Sequence, residues 1–348
     1  MTTILAFAFV LGVLIFVHEF GHFATAKMVG IKVERFSLGF PPRMFGKKIG
    51  DTDYCISWLP LGGYVKMAGM IDESLDGTIE GEPWEFASKP VWQRLIVISA
   101  GSIMNILTAV VILALIAFAI GIPGESDGAL VSEVLENKPA ETVGLKTGDV
   151  IVSINDQIVK THEDLIKIVN ANPGIDLPIE WKRESESFSS RITPELQEEE
   201  NIGLIGVRVG NHVVYQEAGL VDSFKAGFSN TYSFTKLILY SLKVIFTGEQ
   251  SFKDAVGGPI AIAKMAGESA RLGFDSLLFF TAILSINLGI INLFPFPVLD
   301  GGHLVLLLVE GIRRKPLPVK ATLVIQKVGM AFLLALMIFI IFNDITKL

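Results

Sequence analysis

His18, Glu19 and His22 stand in the run His-Glu-Phe-Gly-His, inside the first apolar stretch of a 348-residue chain. Histidines four residues apart share one face of a helix, where both imidazoles can reach one metal ion. The adjacent glutamate is placed to take a proton from water beside that ion. The chemistry on offer is metal-assisted hydrolysis. The setting is unusual, because no formal charge occurs between Met1 and Val17. Ionisable groups in a membrane-spanning helix are costly and rare without a function. A hydrogen-bonded core histidine would account for one of these residues, not for all three on about one turn.

A catalytic zinc site usually takes three protein ligands and leaves a position for water. A third ligand must therefore come from elsewhere. His162 and His212 fall in a segment expected outside the membrane. Asp300 and His303, in Leu299-Asp300-Gly301-Gly302-His303, remain. Asp300 is the preferred ligand, since it is expected to end the Asn- and Pro-broken helix and an intramembrane-facing carboxylate needs a strong partner. The single cysteine, Cys55, excludes a cysteine cluster and an internal disulfide, and reads as a small semi-buried residue.

The elements that must hold these residues are membrane helices. Hydrophobic residues make up 51% of the chain and charged ones 19%, against about 25% in an average soluble protein. The net charge of −7 leaves no basic stripe for nucleic acid. The start, Met1-Thr2-Thr3, has no basic region and does not read as a cleaved signal peptide. Four spans are expected, at about 4–28, 91–122, 277–299 and 322–343. Lys27, Lys32, Arg35, Arg43, Lys47 and Lys48 follow the first span, opposed by Glu34 alone. The positive-inside rule then puts this end in the cytoplasm and both termini outside. His18, His22 and Asp300 fall toward the cytoplasmic side. In the second span, Trp92-Gln93-Arg94 is an expected surface anchor, and Gly101 with Asn105 an expected helix-packing pair.

Between the spans the composition changes. Ile56 to Val65 reads as two short strands around a Pro/Gly turn, a membrane-associated β-hairpin that could offer a strand edge to a substrate. Residues 71–89 are an acidic loop with Asp72, Glu73, Asp76, Glu80, Glu82 and Glu85. From Pro123 to Ser276 there are 23 acidic against 14 basic residues, and two spans precede this stretch, so it is expected outside. Within it, 128–193 shows short strands and two helices around Pro139-Ala140, Gly144-Leu145 and Gly148-Asp149, an order resembling a PDZ domain. An acidic linker, 194–202, follows, then an amphipathic stretch, Tyr232 to Thr247, suited to an interface. The expected divisions are 1–122, the N-terminal membrane half; 123–201, PDZ domain and linker; 202–276, a connecting region; and 277–348, the C-terminal membrane half.

His18-Glu19-x-x-His22, together with Asn292-Leu-Phe-Pro295-Phe-Pro-Val-Leu299-Asp300-Gly301-Gly302, resembles the site-2 protease family of intramembrane zinc metalloproteases. The PDZ insertion, Trp92-Gln93-Arg94, Gly101 with Asn105, and Gly258-Pro259-Ile260 bring it nearest to the RseP branch, the regulator of sigma-E proteases. Many members carry two tandem PDZ domains; this chain has room for one. The resemblance implies one Zn2+ on His18, His22 and Asp300, with Glu19 as general base. It further implies that Asn292 and Pro295 position the substrate and that Gly62 and Gly63 lie near it. Expected substrates are single-span membrane proteins, anti-sigma factors or signal-peptide remnants, with peptide ends bound at the PDZ domain. The expected location is the bacterial cytoplasmic (inner) membrane. Two rival classes are a metal transporter and a non-catalytic PDZ scaffold. Glu19 beside His18, and ligands confined to one side, favour the hydrolase.

Overall fold

The computed structural model describes residues 1–71, 79–251, 253 and 257–347, the side chains of Pro60 and Leu61 excepted. Asp72, Glu73 and Asp76 of the expected loop lie outside the described residues. The chain divides into two units, Met1–Ala119 with Gly219–Leu348, and Ile120–Ala218.

In the first unit, four helices are long and apolar enough to cross a membrane: α1 (Thr2–Met28), α2 (Val91–Ile120), α7 (Phe274–Asn292) and α9 (Val319–Thr346). Three lie within a few residues of expectation. The third does not run to Leu299. It ends at Asn292, and a turn through 293–299 leads to α8 (Asp300–Arg313). Pro295 and Pro297 cannot donate to a helix ladder, so the apolar run breaks there despite its composition. Asp300 therefore opens a helix instead of closing one.

Lipid offers apolar side chains no reason to associate, so small residues and close packing hold the spans together. Ala6, Val10 and Leu14 of α1 pack with Leu277 of α7 and Ala266 of α6 (Pro259–Leu272). Ala109, Ile112 and Leu113 of α2 pack with Ala282, Ile286 and Ile290 of α7. Ser285 donates to the Asn105 carbonyl at 2.8 Å, adding a polar tie between these helices. The amphipathic stretch is part of a longer helix, α5 (Leu220–Thr247), whose Phe234, Ile238 and Leu242 join the α2–α7 cluster. It is docked along two spanning helices, where an interface-lying helix was expected.

The hairpin also differs. β1 (Val33–Ile49) and β2 (Thr52–Met67) are long strands joined at Gly50–Asp51. The expected turn is a bend within β2. The parts of β2 on either side of that bend pair with β1 and not with each other: Leu38 lies opposite both Gly63 and Ile56. Short β-rich runs fix strand character but not register, which long-range pairing supplies. Phe36, Val65 and Met67 bury one face of the sheet against Ala26 of α1, Val97 and Ile98 of α2 and Leu307 of α8. Glu85, expected in an acidic loop, is buried and accepts from the Glu80 and Gly81 amides at 3.0 Å.

The second unit is a β-sheet of order β10-β3-β4-β6-β7, with β5 beside β4. Its strands are β3 (Ile122–Val134), β4 (Val150–Ile154), β5 (Gln157–Ile158), β6 (Leu177–Arg183), β7 (Glu186–Ile192) and β10 (Val207–Gln216). A separate pair, β8 (Glu195–Gln197) and β9 (Ile202–Leu204), precedes β10. Two helices, α3 (Pro139–Val143) and α4 (His162–Asn170), complete it. Asn155 and Asp156 both adopt positive φ and make the tight β4–β5 turn that the Asn-Asp pair suggests. Ile151, Ile154, Leu165, Ile179 and Trp181 fill the core. Asp149, fully buried, is held by both nitrogens of the Arg183 fork at 2.7 and 2.8 Å. The sequence reading closes this unit at 201. The structure carries it to Ala218, because β10 pairs with β3 along most of its length.

Candidate active site

Helical spacing alone puts His18 and His22 together on α1, and both are buried with Glu19, all three at 9% exposure or less. Their Nε2 atoms lie 3.2 Å apart. Asp300, in the first turn of α8, completes the cluster: Oδ1 is 3.4 Å from His22 Nε2 and Oδ2 is 3.6 Å from His18 Nε2. In a tetrahedral zinc site with bonds of about 2.0–2.2 Å, neighbouring ligand atoms stand roughly 3.3–3.6 Å apart. The imidazole–imidazole and imidazole–carboxylate spacings are close to such edges, with one carboxylate oxygen toward each ring, so this donor set fits a zinc ion. Among the described residues no other group of three such side chains converges this way. His303 is not in it; its Nε2 lies 3.1 Å from the Gln326 amide.

The neighbouring helices fix these side chains. The His22 Nδ1–H donates to the Val97 carbonyl of α2 at 2.9 Å, which leaves the Nε2 lone pair free to ligate. Ser102 donates to Asp300 Oδ2 at 3.0 Å, and the Asn105 amide is 3.2 Å from His18 Nδ1. Gly301 makes the approach of α8 possible. A Cβ there would lie 2.1 Å from the Phe294 carbonyl oxygen, so the turn after α7 can fold tightly over the start of α8 only at a glycine.

Glu19 faces a cavity of about 60 Å³ lined by His18, His22, Asp300 and His303 together with Gly63, Tyr64 and Val65 of β2. Gly63 sits against the glutamate: a Cβ would come within 2.8 Å of Glu19 Cγ. The 63–67 part of β2 pairs with β1 on one side and has no strand partner on the other among the described residues. The Asn292 amide is 3.5 Å from His18 Nε2. Gly62 and Pro295 do not line the cavity. Gly62 packs on the Phe40 ring, and Pro295 is exposed on the turn after α7.

Sequence reasoning placed Asn105 in helix packing and did not single out Ser102 or the Val97 carbonyl. A polar residue in an uncharged span was the available signal. Its partner was invisible until α2 was laid against α1.

The sequence pattern of peptidase family M50 matches residues 6–336, from the first turns of α1 into α9. The chain belongs to peptidase family M50. These are the site-2 proteases, and like them it is a zinc metalloprotease of the membrane. It is 32% identical over 424 aligned residues to the regulator of sigma-W protease RasP of Bacillus subtilis, covering 100% of this chain and 99% of that one. It is 31% identical to zinc metalloprotease RasP of Geobacillus kaustophilus, covering 100% and 98%. Part of it is similar to the PDZ domain of the SdrC-like protein of Listeria monocytogenes, at 21% identity and a TM-score of 0.23, covering 25% of this chain and 93% of that one.

Proposed function

We propose that this M50 protease cuts transmembrane segments of single-span proteins, using one zinc ion held by His18, His22 and Asp300. The observation that carries the reading is the convergence of His18 and His22 of the spanning helix α1 with Asp300 of α8, Glu19 standing beside them. Zinc, when bound, lowers the pKa of water and polarises a carbonyl. Glu19 takes the proton from the attacking water and later returns it to the leaving amine. Asn292 donates to the oxygen of the scissile carbonyl as charge develops there. A helical substrate hides its carbonyls in its own hydrogen bonds and must unwind locally. The 63–67 segment of β2, beside Glu19, would hold the extended form by strand addition on the side away from β1.

The basic residues after α1 favour a cytoplasmic-side site with both termini and the second unit outside. In that unit, α4 and the start of β10 flank an apolar cavity of about 170 Å³ lined by Leu165, Ile166, Val169, Leu204, Ile205 and Val207. β10 is the last strand of its sheet, so a peptide end can add to it. Gly203-Leu204-Ile205-Gly206 leads into that strand. This supports the PDZ reading and selection of substrates by a shortened outer end. The B. subtilis relative, a regulator of sigma-W protease, supports anti-sigma factors as substrates; signal-peptide remnants are the second class.

The test is cleavage of a purified single-span substrate in detergent. Glu19→Gln is expected to reduce the rate by about 10²–10⁴-fold. Cleavage at the wild-type rate would sink the mechanism, and zinc uptake surviving that change in vesicles would point to transport.

A further inference from the structure

Helix α2 reaches every one of the three candidate ligands. Val97 accepts from His22 Nδ1, Ser102 donates to Asp300, and Asn105 faces His18 Nδ1. Positions 97, 101, 102 and 105 are one stripe of a helix. At 101 the stripe carries no side chain, and a Cβ there would lie 2.3 Å from His22 Nε2 and 2.8 Å from His18 Cε1. The imidazoles sit against bare backbone at the centre of this stripe, with polar groups above and below them.

Asn105 is fully buried, and its Oδ1 has no hydrogen-bond partner. The amide nitrogen is the atom drawn toward His18 Nδ1. Which end of an amide faces a neighbour is settled by hydrogen-bond chemistry, since the two ends have nearly the same shape. An imidazole that ligates through Nε2 carries its proton on Nδ1 and needs an acceptor there. His22 has such an acceptor in the Val97 carbonyl. The Gly101 backbone also hydrogen-bonds the His18 ring; among the described residues, the Asn105 amide beside that ring has an oxygen with no donor of its own.

We infer that Asn105 is a positioning residue for the metal site: its side-chain oxygen accepts the His18 Nδ1–H and fixes the tautomer and ring angle of that ligand. Ser102 does the corresponding work for the Asp300 carboxylate. The inference rests on the proposed ligand set, and it makes α2 the scaffold against which that set is aligned.

The experiment measures zinc affinity of the purified full-length protein by competition with a chelator, and the absorption spectrum of its cobalt-loaded form. Asn105→Leu keeps the volume and removes the acceptor; it should weaken zinc binding by about 10–100-fold and change the cobalt bands. Asn105→Asp keeps an acceptor toward His18 and should stay within about threefold of wild type. A role in helix packing alone reverses that order, because a buried carboxylate then has no partner and leucine packs well. Wild-type affinity and spectrum in Asn105→Leu would overturn the inference. If Asn105→Leu does not fold, Asn105→Asp decides, and a loss beyond tenfold overturns it. His18→Ala in parallel separates the two claims. Retention of zinc there sinks the ligand set itself; loss of zinc there with retention in Asn105→Leu sinks the positioning role alone.

Discussion

At Gly101 and Asp300 single atoms decide whether the site exists. A methyl group at 101 would fall 2.3 Å from His22 Nε2, against an imidazole locked by the Val97 carbonyl. Gly101→Ala is therefore expected to abolish zinc retention while the protein still inserts and purifies, read by metal content per chain. Asp300→Ala removes one of three ligands and should also lose zinc. His303→Ala should keep it, because that ring turns to Gln326. Equal zinc content in the Asp300 and His303 variants would contradict the assignment.

Elements are held by caps as much as by apolar contact. The N-terminus of α6 takes its cap from a distant helix: Asp344 of α9 accepts from the amides of Gly258, Ile260 and Ala261 at 2.8, 3.0 and 3.1 Å. Asp344→Ala leaves those donors bare and should cost roughly 1–2 kcal/mol, seen as a lower melting temperature in detergent. In the second unit, α4 begins with a reciprocal cap, Thr161 Oγ1 accepting from Asp164 N and Asp164 Oδ2 from Thr161 N. That backbone bond from Thr161 holds the Asp164 carboxyl below its usual range. A depressed carboxylate contributes stability that is full above its unfolded pKa of about 3.9 and is lost as pH falls through the lower folded value. Asp164→Asn should thus narrow the stability gap from wild type as pH falls below about 4, followed by protease resistance of the unit.

For the whole molecule, the second unit is an insertion whose ends meet. Ile122 lies opposite Gln216 in the β3–β10 ladder, so the chain enters and leaves it side by side. Replacing residues 122–216 by a short Gly-Ser linker should leave zinc content unchanged, and cleavage of a substrate already shortened outside should persist. Chelation of zinc should stop cleavage and readdition restore it. Loss of zinc on excision would show that the insertion supports the membrane fold.

By itself, the sequence determined what is local or periodic. Long apolar runs marked four spans, because a bilayer demands about 20 apolar residues for each helix. His18, Glu19 and His22 were legible because 3.6-residue periodicity puts i and i+4 on one face. In the second unit, Pro139 to Ile154 was legible because turn residues and alternation are short-range. Tertiary structure decided what needs two distant pieces in contact. It set the β1–β2 register, which no short run specifies, and the place of β10 beside β3, hidden behind an acidic linker. It ended α7 at Asn292 and made Asp300 the start of a helix, since the prolines outweigh the apolar composition. It alone brought Asn105, Ser102 and the Val97 carbonyl onto the candidate ligands. A hydrogen bond between helices 87 residues apart in sequence leaves no periodic trace, and only the packing of α2 against α1 creates it.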